Sequence, residues 1–148
     1  MPIPELSADG VLPPGIYDCT LQEIRHRFGS FEGTELRPRL FAKLEELVKA
    51  MKRSGIFEAV LIDGSFVTAK AVPNDIDLIA IVPAEHSLER ELSVSQYALV
   101  SRALLRKRFG FDVIVARRDS VLYRSYVEFF SRVREIPHLR KGLLRLEL

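Results

Sequence analysis

Two aspartates one residue apart, Asp75 and Asp77, stand at the mouth of the most apolar run of the chain, Ile76 to Val82. Residues two apart in a strand share a face, so these carboxylates lie side by side with Cα atoms about 6.7 Å apart. Carboxylates drawn to about 5 Å repel by roughly 3 kcal/mol at an effective dielectric near 20. A raised pKa, a neighbouring Lys or Arg, or a divalent cation relieves that repulsion, and hard oxygen ligands suit Mg2+ or Mn2+. The competing reading is a turn at Pro73-Asn74-Asp75 with Asp77 solvated. Turn chemistry accounts for Pro73 and Asn74 but not for an acid that opens so apolar a run.

Upstream, Gly64-Ser65 ends another apolar run, Phe57 to Ile62. A glycine after a strand lets backbone N–H groups approach an anion, a serine adds a hydroxyl donor, and a following helical turn adds its positive end. Gly-Ser pairs also end strands that bind nothing, so the signal lies in the combination: strand, Gly-Ser, then Asp-x-Asp opening a buried strand. A third acid, Asp112, sits in Phe111-Asp112-Val113-Ile114-Val115, inside the otherwise apolar strand expected over Phe111 to Ala116. It needs a metal, an arginine such as Arg106 or Arg117, or an exposed strand end, because burial without a partner is costly.

Several elements must position these groups. Residues 1–18, with Pro2, Pro4, Pro13 and Pro14, read as an extended arm ahead of one domain over 19–148. Thr20-Leu21-Gln22-Glu23 has capping-box spacing and predicts a short helix ending near Gly29. The stripe Leu36, Leu40, Leu44, Leu47, Val48 and Met51 predicts a helix over about 35–54, with Gly55 at its C′ position. Residues 93–108 predict another helix, ended by Arg106, Lys107 and Arg108, where cations suit the dipole. Asp119 is the expected N-cap of a helix over about 120–134, with Leu122, Tyr126, Phe130 and Val133 inward. Leu144, Leu146 and Leu148 alternate with polar residues and predict a fourth strand at a sheet edge. The sum is an α/β or α+β fold, with helices packed on a small mixed sheet.

The chain has 148 residues, 47% hydrophobic and 28% charged, which is an ordinary globular composition for one core. No apolar run reaches the roughly 18 residues a membrane span needs. Met-Pro-Ile-Pro-Glu lacks the basic and apolar regions of a signal peptide, and Cys19 is the one cysteine. Together these predict a reducing cytoplasm and no membrane partner. The net charge of +2 conceals an asymmetry: residues 101–148 hold twelve Lys and Arg against five Asp and Glu. That half would attract a polyanion, or simply present solvated basic helix faces. His26, His86 and His138 show no metal-ligand spacing. Tyr123, Arg124 and Tyr126 could stack on a base, although helical spacing turns Tyr126 toward the core.

Gly64-Ser65 with Asp75-Ile76-Asp77 resembles the nucleotidyltransferase superfamily typified by DNA polymerase beta, and Asp112 falls where that superfamily carries its third acid. A narrower likeness, to uncharacterised bacterial nucleotidyltransferase-like proteins, takes in Leu12-Pro13-Pro14-Gly15-Ile16-Tyr17, Asp63-Gly64-Ser65-Phe66-Val67-Thr68 and Lys141-Gly142. The resemblance implies a minimal polymerase-beta-like fold. It implies two Mg2+ ions on Asp75 and Asp77, with Asp112 completing the site of the ion that activates the attacking hydroxyl. Gly64 and Ser65 would bind the β- and γ-phosphates of a nucleoside triphosphate, and Lys70 would add a phosphate contact where many minimal relatives carry Arg-Gly. The expected reaction moves a nucleoside monophosphate, AMP from ATP, to a hydroxyl of a protein or tRNA acceptor. A cognate partner in a toxin–antitoxin or defence pair is a further implication of the family. Two other readings stand beside it: a catalytically silent module that binds nucleotide, RNA or a partner on the same fold, and a basic half that grips RNA.

Overall fold

The computed structural model describes residues 3–29, 35–70, 73, 75–84, 92–133 and 136–148. Pro2, Asn74 and His86 lie outside these residues.

Strand β1 (Ile16–Cys19) is followed by helices α1 (Leu21–Phe28) and α2 (Leu36–Ser54). The capping box forms as expected: the Thr20 hydroxyl accepts from the Glu23 amide, and the Glu23 carboxylate accepts from the Thr20 amide. Gly55 closes α2 in the left-handed region at φ 72°. Strand β2 (Ala59–Asp63) runs into a 3-10 turn at Ser65–Val67, and β3 (Asp77–Val82) follows.

The helix expected over 93–108 is two helices, α3 (Val94–Val100) and α4 (Arg102–Phe109). Ser101 adopts an extended conformation (φ −85°, ψ 113°), and its hydroxyl accepts from the Leu104 amide as the N-cap of α4. Periodicity carries across such a break, which is why the pattern read as one element. Strand β4 (Asp112–Arg117) leads to α5 (Val121–Phe130). Here the cap is Ser120, not Asp119, which sits at φ 59° in the turn before it. The helix ends at Phe130 rather than 134, and Val133 belongs to a strand. Tyr126 and Phe130 pack inward as expected, joined by Tyr123 and Val127, while Leu122 is exposed. A hairpin of β5 (Arg132–Val133) and β6 (Ile136–Arg140) precedes β7 (Leu143–Glu147).

The main sheet is mixed, in the order β1-β7-β2-β3-β4. The closing strand is therefore not at an edge. It lies between β1, to which it is parallel, and β2, to which it is antiparallel. The end of the Pro-rich arm supplies the edge strand, so residues 16–18 are part of the sheet and not a free extension. Strand alternation splits the core. Val60, Ile62, Leu78, Ala80 and Leu144 face a large cluster with Ile24, Phe28, Leu44, Met51 and Phe109 from α1, α2 and α4. Leu61, Ile79, Ile81 and Ile114 face Phe130 and the other inward residues of α5. Each fully buried aliphatic or aromatic side chain contributes about 1.5–3 kcal/mol, so these two clusters carry the stability of the fold. Among the described residues no helix is long and apolar enough to cross a membrane.

Candidate active site

The site is built where the turn after β2 meets the chain entering β3. Gly64 has φ 98°, and a Cβ there would stand 2.7 Å from the Asp75 carbonyl oxygen and 3.1 Å from the Asp77 amide. Only a residue without a side chain lets the two segments come this close. The closeness is used at once. Asp75 Oδ1 accepts from both the Ser65 amide (2.9 Å) and the Ser65 hydroxyl (2.6 Å). The Asp75 backbone carbonyl accepts from the Phe66 amide at 3.2 Å. Burial opposes the charge on Asp75, but the hydrogen bonds from Ser65, with Lys141 and Lys70 nearby, hold its carboxyl below the usual range.

Gly64-Ser65 thus serves Asp75 rather than presenting a row of free amides. The amides of Ser65, Phe66, Val67 and Ala69 donate to Asp75, Asp75, Gly64 and Gly10 respectively. Arg37, in the first turn of α2, holds the rest of this loop. It is fully buried and donates to the carbonyls of Phe28 (3.0 Å), Phe66 (2.7 Å), Thr68 (2.9 Å) and Lys70. Thr68 donates its hydroxyl to the Ser65 carbonyl at 2.6 Å and accepts from the Lys70 amide, which closes the turn.

Sheet register then lines up the acids. Asp63 on β2 is opposite Asp77 on β3, and Asp77 is opposite Asp112 on β4. Paired residues point to one face, so a row of three carboxylates crosses three strands over about 10 Å, with Asp75 beside its centre. Asp77 responds most. Burial first, then the charges of Asp75, Asp63 and Asp112, push its carboxyl up to about 6. Lys141 is the cation that works against this rise. No hydrogen bond or salt bridge satisfies the Asp77 carboxylate among the described residues.

The flanking acids each have a cation. Asp112 is gripped by Arg102, Nε to Oδ1 at 2.6 Å and Nη2 to Oδ2 at 2.7 Å, with Arg106 at 3.6 Å. The break at Ser101 explains this, because it makes Arg102 the first residue of α4 beside the start of β4. The arginine hydrogen bonds outweigh partial burial and hold the Asp112 carboxyl down. Asp63 is 4% exposed, and burial pushes its carboxyl up against the pull of Lys141. Lys141 Nζ lies 2.9 Å from Asp63 Oδ1, an ion pair rather than an aligned hydrogen bond.

All this opens on a cleft of about 860 Å³. Asp63, Asp75 and Asp77 form one wall, and Phe129, Arg132, Ile136 and Arg140 from α5 and the hairpin form the other. Lys70 and Lys141 line it as well. Arg132 and Arg140 both reach the Glu128 carboxylate, at 3.3 and 3.7 Å. Acids at one side and cations around the rest suit a ligand that carries both phosphate and bound metal. Asp75 and Asp77 fit a divalent cation: they are adjacent, share a face, and the second lacks a counter-charge of its own. Asp112 does not complete the set while Arg102 holds both its oxygens. Among the described residues no three such side chains converge as metal ligands.

A family model matches residues 4–147, nearly the whole chain. The chain belongs to the family described as Family of unknown function (DUF6932). No curated protein and no solved structure matches it. The DUF6932 match spans the acid row, the Gly64-Ser65 turn and every cation named above.

Of the residues singled out in the sequence, Gly64, Ser65, Lys70, Asp75 and Asp77 gather at the cleft, and Asp112 lies one strand beyond Asp77. Asp63, Lys141, Arg37 and Arg102 were not foreseen in these roles. Asp63 carried a signal, being an acid that ends a strand buried along its whole length. Arg37 carried none, since an arginine in a first helical turn reads as surface. His26 and His138 are exposed and do not line the cleft.

Proposed function

We propose that this chain is a nucleotidyltransferase that moves a nucleoside monophosphate, AMP from ATP, to a hydroxyl of a macromolecular acceptor. The observation that carries the reading is Asp77: a carboxylate on the cleft wall, pushed up to about 6 by burial and then by three neighbouring acids, and left without an ion pair. Groups with strongly shifted pKa values in a cleft are where chemistry concentrates. Asp75 and Asp77 would hold Mg2+ or Mn2+, which would supply charge neutralisation at the phosphates. Ser65 fixes Asp75 in its ionised form and sets its orientation. Lys70, Arg132 and Arg140 line the remaining space with positive charge and would bind the triphosphate tail, while Lys141 stands beside Asp63. The acceptor is a protein or a tRNA, and a toxin–antitoxin or defence partner is its natural source. A cytoplasmic setting goes with this reading, because triphosphates are abundant there and an unpaired thiol such as Cys19 stays reduced.

One observation favours a second reading, a nucleotide-binding module that performs no transfer. Arg102 and Arg106 occupy Asp112, the acid that would activate the hydroxyl. The two readings separate in one experiment. The chain is incubated with Mg2+, α-labelled ATP and a total protein and RNA extract, while pyrophosphate release and label transfer are followed. Transfer by the native chain and none by Asp77→Asn supports the enzyme. Equal labelling by Asp77→Asn sinks it, and ATP binding without pyrophosphate release selects the module.

A further inference from the structure

Two sequence motifs, the one ahead of β1 and the one ahead of β7, meet each other in the fold. The Gly142 amide donates to the Leu12 carbonyl at 2.9 Å, and the Leu143 amide to the Gly15 carbonyl at 2.9 Å. The Tyr17 hydroxyl donates to the Pro13 carbonyl, and a Cβ on Gly142 would collide with that same oxygen. One residue earlier, the Lys141 amide donates to the Ser131 carbonyl at 2.8 Å, just past α5. The Lys141 backbone is therefore pinned on both sides, by the arm and by the end of α5.

That pinning aims the side chain at the acid row. The Lys141 side chain is 16% exposed, lines the cleft, and carries its ammonium 2.9 Å from the buried Asp63. Lysines are seldom so withdrawn from water unless paired, because desolvating the charge is costly. Its field also reaches Asp75 and Asp77. At the other end of the row, Arg102 holds both oxygens of Asp112. Sites that bind two cations need carboxylates free to bridge them. Here the chain's own cations already engage the outer acids, and only Asp75 and Asp77 are left for a metal.

We propose that Lys141 is a built-in second cation: the site takes one divalent ion, on Asp75 and Asp77, and the Lys141 ammonium neutralises Asp63 in place of another. This rests on the nucleotidyltransferase reading, and it concerns how many ions the site takes rather than whether it transfers.

The test counts bound Mn2+ by electron paramagnetic resonance against bound nucleotide, with saturating α,β-methylene-ATP as a probe that is not turned over at the α-phosphate. The native chain is expected to hold one Mn2+ per nucleotide. Lys141→Met, which frees Asp63, is expected to hold two, and Lys141→Arg, which restores the charge, one. Two ions on the native chain, or one on a folded Lys141→Met, overturns the inference and leaves the transfer reading intact. If the native chain binds neither Mn2+ nor the analogue, both fall together. The native count decides the question even if Lys141→Met does not fold.

Discussion

Arg37→Met removes the guanidinium that joins α1, α2 and the loop after Gly64, and keeps most of the aliphatic stem. Arg37 donates to four backbone carbonyls, and its contacts with Phe28 and Phe66 are buried. A buried acceptor left without a donor costs about 1–3 kcal/mol, so two cost about 2–6. The carbonyls of Thr68 and Lys70 are partly buried and regain water. The variant also escapes the desolvation of a buried cation, which returns part of the loss. About 3 kcal/mol is the expected net destabilisation. For a chain of this size each kcal/mol moves the melting temperature by about 2–4 °C, so a fall of about 6–12 °C follows. Urea unfolding monitored by circular dichroism measures the free energy, and hydrogen exchange reports the loop directly. The Val67 and Ala69 amides, which donate to Gly64 and Gly10, should lose protection well before those of β2. Arg37→Lys should fall between native and Met, because one ammonium cannot span the four acceptors. A change below about 0.5 kcal/mol, the range of ordinary surface substitutions, with unchanged loop exchange, would show that the loop is held by other means.

Asp77→Asn should stabilise the fold at neutral pH while abolishing transfer. The native Asp77 carboxyl sits at about 6, above its unfolded value, so its contribution is fully present below about pH 4 and is lost as pH rises through about 6. At roughly 1.4 kcal/mol per pH unit the loss approaches 3 kcal/mol, and about 1–2 survives screening in an open cleft. The variant should therefore show a flatter stability profile between pH 4 and 6, and an unchanged slope in urea unfolding across that range contradicts the assignment. Gly64→Ala places a Cβ 2.7 Å from the Asp75 carbonyl at a φ of 98°, and should cost about 2–4 kcal/mol and expose the Ser65 amide to exchange. Wild-type exchange at Ser65 in that variant would refute the contact. Cys19, pushed up to about 12 by burial and by Glu23 and Asp18, should react with iodoacetamide on the order of 10³-fold slower than free cysteine at pH 8 until the chain is unfolded.

How much of this was legible depended on whether the signal was local. The capping box at Thr20 and Glu23, the apolar stripe of α2 and the runs that became β2, β3 and β4 each speak within a few residues. Shared-face logic put Asp75 beside Asp77, and register set Asp112 next to Asp77, where Arg102 holds it instead of leaving it as a third ligand. Pairing between distant segments was invisible. Nothing in Ile16–Cys19 announces that its parallel partner is Leu143–Glu147, so an edge strand was read as arm and an inner strand as edge. Cap chemistry was legible only where one candidate existed. With Asp119 and Ser120 adjacent, composition did not choose, and the backbone gave the cap to Ser120. The ionic partners were hidden for a related reason. Arg102, Arg106 and Arg117 all stood near Asp112 in sequence, and the break at Ser101 decided which arginine reached it.

The place of β7 between β1 and β2 also sets a timetable. On a ribosome, β2, β3 and β4 emerge and can pair in sequence order, while β1 waits without a neighbour. Only after Leu143–Glu147 has left the exit tunnel can the sheet close, joining segments more than a hundred residues apart, a connection of the slow, high-contact-order kind. Lys141 arrives two residues ahead of that strand. Until then Asp63 faces Asp77 with no ammonium beside it, so the acid row is completed by the step that finishes the sheet.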